Sequence, residues 1–128
     1  MKTIVLAYND TNDSDRALER TAELAGFYGA KVVVTSVVPV VVGDLPSGPG
    51  MELQHAGDML RERGIEAELV EAAGEISEAI IEVADRVSAD LIVVGTRELS
   101  QVERFLGHSV SEGVQRMARC DVLIVHGS

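Results

Sequence analysis

Two pieces of the chain carry residue types suited to holding an anion. One is Gly95, which closes the apolar run LIVV at 91–94; the other is the stretch S-V-S-E that begins at Ser109. A strand that ends in glycine and leads into a helix N-terminus presents free N–H groups and the positive end of the helix dipole to one space, and both favour a phosphate. Ser109 and Glu112 match a capping box, with Ser109 as N-cap and Glu112 reaching back from the third helical position. A cap by itself explains both residues. Arg97, Arg104 and His108 lie around it, so a locally positive surface stands in an otherwise acidic chain, and arginine is well matched to phosphate oxygens.

A second polar cluster, NDTNDSD, holds Asn9, Asp10, Asn12, Asp13 and Asp15. That is enough oxygen to suggest a hard cation, but a calcium loop starting at Asp10 would need Gly where Asp15 stands and Glu where Thr21 stands. A turn followed by a helix cap accounts for these residue types and is the preferred reading. A phosphate arriving here would be repelled unless a divalent ion intervened.

Other chemistry is excluded on spacing. His55, His108 and His126 are widely separated and have no partners at metal-ligand or triad spacing. The single cysteine, Cys120, forbids an internal disulfide and reads as a small buried hydrophobe rather than a nucleophile. No G-x-x-x-x-G-K-[ST] and no G-x-G-x-x-G occurs. A phosphoacceptor receiver domain fails too, since Glu71, Ala72 and Ala73 follow the third strand and no lysine follows Lys31. No catalytic residue and no metal site is assigned.

The elements that would position the candidate residues follow from periodicity. TIVLAY at 3–8 reads as a strand covered on both faces, and RALERTAELAGFYGA as a helix with Ala17, Leu18, Ala22, Leu24, Ala25 and Tyr28 inward, stopped by Gly29. Residues 31–38 form a second apolar strand, after which PVVVGDLPSGPG is a loop. A helix over 51–63, with Leu53, Ala56, Met59 and Leu60 on one face, leads to an alternating strand at 65–70 near the sheet edge. SEAIIEVADRV then forms a helix with Ala79, Ile80, Val83, Ala84 and Val87 inward. Strands at 91–94 and 122–125 flank a helix starting at Ser109. Five strands alternating with four helices imply a doubly wound, open parallel α/β sheet with helices on both faces. In such sheets ligands sit beyond the strands' carboxyl ends where the strand order reverses, here the loops after Tyr8, Val38 and Val94.

The totals agree with one domain spanning 1–128, at 128 residues and 46% hydrophobic. A net charge of −10 works against nucleic acid and anionic membrane as partners. The opening MKTIVLAYND is a poor signal peptide, and no run approaches ~18 apolar residues, so a cytoplasmic protein is expected. The acidity would suit a saline habitat.

Over nearly its whole length the chain resembles the universal stress protein family. The resemblance rests on the opening strand followed by an Asx-rich turn and Ser14, Ala17 and Leu18 in S-x-x-A-L, on a second strand ending VVP, on ADLIVVGTR, and on the tail SVSEGVQRMARCDVLIV. It implies a Rossmann-like, adenine-nucleotide alpha-hydrolase-like fold. It also implies a nucleotide motif, G-x-x-G-x9-G-[ST], which is degenerate here: Gly95 and Ser109 match, while Glu98 and His108 stand in place of the other two glycines. Asn9 occupies the position of the family's aspartate after strand one, Val37 that of the valine against adenine, and Asp121 that of a common proline. Carried over, the binding residues are Asn9, Val37, Gly95, Arg97, Ser109, Val110 and Ser111. ATP or AMP with magnesium is the implied cofactor, and ATP in the family's usual pose is expected to be weakened or lost, because Glu98 adds bulk and negative charge near the phosphates. A cationic His108 beside Ser109, Ser111 and Arg97 offers an alternative phosphate contact. The family also implies a homodimer through the last strand, Val122 to Val125, and a regulatory or protective binding module rather than an enzyme.

Overall fold

A computed structural model describes residues 1–9, 12–38, 49–95 and 110–126, the side chains at 12, 13, 38, 49 and 50 excepted. Within it β1 (Thr3–Ala7), α1 (Asn12–Tyr28), β2 (Lys31–Val38), α2 (Pro49–Glu62), β3 (Ala67–Ala73), α3 (Ile76–Arg86), β4 (Leu91–Gly95), α4 (Val110–Met117) and β5 (Asp121–Val125) alternate along the chain. The five strands form one parallel sheet in the order β3-β2-β1-β4-β5. The chain builds outward from β1 to β3 and then crosses to the other side of β1. The order therefore reverses between β1 and β4.

Apolar residues at successive positions of β1, β2 and β4 reach both faces of the sheet, so each central strand is covered twice. On one face α1 and α2 bury Ile4, Leu6, Tyr8, Leu18, Val34 and Leu60 together. On the other, α3 and α4 cover Val5, Val33, Ile80, Val83, Ile92 and Val114. At roughly 1.5–3 kcal/mol for each large side chain removed from water, these two layers supply the driving force that holds the helices against the sheet. At the amino ends of the strands, Asp90 Oδ2 accepts the main-chain N–H groups of Lys2 and Thr3 at 2.8 and 2.9 Å. These bonds tie the start of β1 to the turn before β4.

Several boundaries and faces differ from the periodicity reading, and α1 begins at Asn12, inside the oxygen-rich turn, rather than at Arg16. Tyr28, expected inward, is exposed and stacks edge-on against Phe27, because it falls on the last residue of α1, beyond the sheet layer. The buried place on that helix goes instead to Thr21, whose hydroxyl returns to Ala17 O at 2.8 Å. The third strand is Ala67–Ala73 rather than 65–70, since pairing with β2 selects the segment and carries it up to Gly74, where φ is +118°. Helix α2 begins at Pro49, two residues before Met51. Gly29, with φ +66°, does end the first helix turn as expected. Among the described residues no helix is long and apolar enough to cross a membrane.

Candidate functional site

Where the order reverses, the carboxyl ends of β1, β2 and β4 border a cleft between the sheet and the helices α3 and α4. It spans about 470 Å³, counting the space open to solvent at its mouth. The strands contribute small or branched side chains, Ala7, Thr35, Val37 and Val94; α3 contributes Ile76 and Ile80, and α4 contributes Val110. Asn9, Ser14 and Gly95 add polar and backbone groups at the strand ends. A mostly apolar slot with a few polar groups at one end suits a flat heterocycle carrying a polar substituent.

The local sequence explains why these groups converge. Ser14 Oγ accepts the N–H of Asn9 at 3.2 Å and donates to Asn9 Oδ1, so the start of α1 is pinned to the end of β1. Tyr8 N donates to Thr35 O at 2.9 Å, extending the β1–β2 ladder past Ala7, and the Tyr8 phenol donates to Asp15 Oδ1 at 2.6 Å. On the helix side, Glu75 caps α3 by accepting the N–H groups of Ser77 and Glu78 at 3.2 and 2.7 Å. This offsets the orphan donors of the first turn. Ser77 Oγ then donates to Val110 O at 3.3 Å, linking the starts of α3 and α4. Gly113 makes that approach possible, since a Cβ there would lie 2.4 Å from Ser77 Oγ and 2.8 Å from Ser77 Cβ.

Of the residues expected at a binding site, Asn9, Val37, Gly95 and Val110 meet at this cleft. Ser111 is buried in the first turn of α4 and is not among the cleft's lining residues, because it is turned a helical step away from Val110. Arg97, Glu98, Arg104, His108 and Ser109 lie outside the described residues, and with them the N-cap of the capping box. The oxygen-rich turn is described in part: Asp10 and the Asp13 side chain lie outside, and Asp15 is engaged by Tyr8. No cluster of three or more metal-ligating side chains exists among the described residues. Cys120 is half-buried rather than fully buried; burial, with Asp121, Asp85 and Asp90 behind it, pushes its thiol above the usual range, the opposite of an activated nucleophile. His55 is an exposed residue of α2, its ring 6.3 Å from that of Tyr8, and His126 is exposed directly after β5.

Seven lining residues stand outside the set expected at a binding site: Ala7, Tyr8, Ser14, Thr35, Ile76, Ile80 and Val94. Ile80 reads only as an inward position of a helix, Ile76 falls before that helix's expected start at Ser77, and nothing in the pattern says that the turn at Ile76 overhangs the sheet's carboxyl end. Thr35 carried a signal, a hydroxyl in a run of valines two residues before Val37 and hence on its face of the strand.

Fold and cleft together define an open, doubly wound α/β domain with a cleft at the topological switch point, where folds of this class place their ligands. Comparison with known proteins makes this specific. The model of the universal stress protein family matches residues 1–126, and the chain belongs to that family. A universal stress protein of Mycobacterium tuberculosis H37Rv is 30% identical, the match covering 98% of this chain and 96% of that protein. One from Synechocystis is 29% identical over 97% of this chain and 85% of its own. Among solved structures, a universal stress protein in complex with cAMP superposes with a TM-score of 0.83 at 29% identity, covering 99% of this chain and 98% of that one. One from Archaeoglobus fulgidus in complex with dAMP gives 0.70 at 28% identity, with 98% of each chain covered.

Proposed function

We propose that the protein is a non-catalytic, ligand-responsive module of the stress response that holds the base and sugar of an adenine nucleotide in the cleft, with the triphosphate half of the site weakened. The observation that carries this is the convergence of Asn9, Val37, Gly95 and Val110, far apart in sequence, on one apolar cleft at the switch point. The complexes of two similar proteins with cAMP and dAMP support an adenine mononucleotide as the class of ligand. The phosphate half is argued from residue types. The family motif has glycines that let the backbone approach phosphate closely, and Glu98 and His108 stand at two of those motif positions, Glu98 with a like charge. One phosphate at the start of α4, met by Ser109 with Arg97 or a cationic His108, is compatible with those changes; three in a row are not.

Calorimetric titration of AMP, cAMP and ATP, with and without magnesium, into nucleotide-free protein tests the reading. A mononucleotide should bind in the micromolar range and ATP at least about tenfold more weakly, a difference of about 1.4 kcal/mol. Glu98→Gly combined with His108→Gly should narrow that gap. ATP binding as tight as AMP would remove the weakened-phosphate reading, and no binding of any of the three at millimolar concentration would remove the cleft assignment.

The same reading pairs two copies through β5. This strand lies at the sheet edge with Val122, Leu123 and Ile124 only partly covered, a template for another strand that dimerisation would satisfy. Light scattering should give twice the chain mass at tens of micromolar. A monomer mass refutes it.

A further inference from the structure

Thr35 carries a hydroxyl that packing does not require. It stands in the strand KVVVTSVV, where valine fills most positions, and its side chain is 1% exposed. Thr35 Oγ1 is, among the described residues, the buried side-chain polar atom that has no hydrogen-bond partner. Its neighbours show how unusual that is. Ser36, next in the chain and buried on the opposite face, donates to Glu52 Oε2 at 2.9 Å, and Thr21 and Ser77 each reach a main-chain carbonyl. Burying a hydroxyl without a partner is unfavourable, and valine of nearly the same shape would avoid it.

The position gives the hydroxyl a direction. Thr35 shares its face with Val33 and Val37, the face covered by α3 and α4, and it lines the cleft. Its register partner on β1 is Ala7, whose methyl leaves the cleft open beside it, and on β3 it is Val70. The cleft's other two hydroxyls are engaged, Tyr8 with Asp15 and Ser14 with Asn9, while Ala7, Val37, Ile76, Ile80, Val94 and Val110 end in carbon. A threonine hydroxyl donates once and accepts twice. It can therefore meet the edge of a heterocyclic base, where an exocyclic amine and ring nitrogens alternate donor and acceptor, but gains nothing from a hydrocarbon.

We infer that Thr35 Oγ1 reads the hydrogen-bonding edge of the base seated in the cleft and is the base-specificity determinant of this site. The inference rests on the nucleotide reading above. The unmet hydroxyl is a stability loss in the ligand-free protein that a bound base removes.

The test compares wild type, Thr35→Val and Thr35→Ser with two probes, AMP and benzimidazole riboside monophosphate, which keeps the shape of the base but lacks the amine and the six-membered-ring nitrogens. Thr35→Val should weaken AMP about tenfold while Thr35→Ser stays within about threefold, and the preference for AMP over the benzimidazole analogue should shrink at least about fivefold in the valine variant. Ligand-free Thr35→Val should melt about 2–5 °C above wild type. If wild type binds AMP and the valine variant binds both probes as wild type does, Thr35 has no such role and the cleft assignment stands. If wild type binds no AMP, the assignment falls and takes this inference with it. A ligand-free valine variant that is less stable than wild type, or does not fold, shows the hydroxyl to be structurally engaged and overturns the inference independently of any nucleotide.

Discussion

The two faces of the sheet end differently at the carboxyl side of the strands. On the α1/α2 face the large side chain of Tyr8 fills the space after β1, its phenol held by Asp15 and its ring beside His55. Ser36, on the same face, has its hydroxyl satisfied by Glu52. One step across the strands, the α3/α4 face presents Ala7, Thr35 and Val37 instead, and the hydroxyl there is left unmet. One face is closed by size and paired polar groups, and the other is kept open by small residues and an unpaired one. The proposed nucleotide site uses this difference, because it lies on the α3/α4 face.

That contrast can be broken experimentally, and the largest effect belongs to the closed face. Leu18 of α1 is fully buried against the sheet, so Leu18→Ala should lose about 3 kcal/mol of unfolding free energy in a urea titration. AMP affinity of the folded variant should stay within about twofold. A large loss of affinity would mean that the two faces do not act separately.

A smaller stability effect, coupled to binding, is expected at the hinge of the open face. Alanine for glycine in a helix ordinarily gains up to about 1 kcal/mol. At Gly113 the added Cβ would meet Ser77 at 2.4 and 2.8 Å, so Gly113→Ala should instead destabilise by about 1–2 kcal/mol and weaken AMP by forcing α3 and α4 apart. Adding Ser77→Gly should restore part of both. Stabilisation by Gly113→Ala alone would show that the α3–α4 approach is not what shapes the cleft.

The smallest effect lies at the far end of the sheet. Hydrogen bonds from the main chain of Lys2 first, and then Thr3, hold the Asp90 carboxyl below its ordinary value. A depressed folded-state pKa contributes stability that is present above the unfolded value and is lost as pH falls through the folded one. Asp90→Asn should therefore lower stability slightly at neutral pH and flatten the acid side of the melting-temperature profile below about pH 4. AMP affinity should be unchanged, and a profile as steep as wild type would remove Asp90 from the acid response.

Much of this architecture is legible in the residues alone. Period-2 and period-3.6 patterns report which positions are apolar along one element, and that suffices for five strands, four helices, their alternation and, through the rule of the reversed strand order, the end of the sheet where the cleft opens. Asn9, Val37, Gly95 and Val110, named through the family resemblance rather than through periodicity, line one cleft in the structure. Local patterns do not say what stands opposite a residue on another strand or helix. Hence helical spacing puts Tyr28 with the inward residues although the sheet layer stops short of it, and the Ser77–Gly113 contact is invisible in the chain. Thr35 is the clearest case. Its residue type and its face are written in the chain, but that its hydroxyl is buried, unmatched and beside an alanine depends on three strands and two helices meeting, and only the tertiary structure decides that.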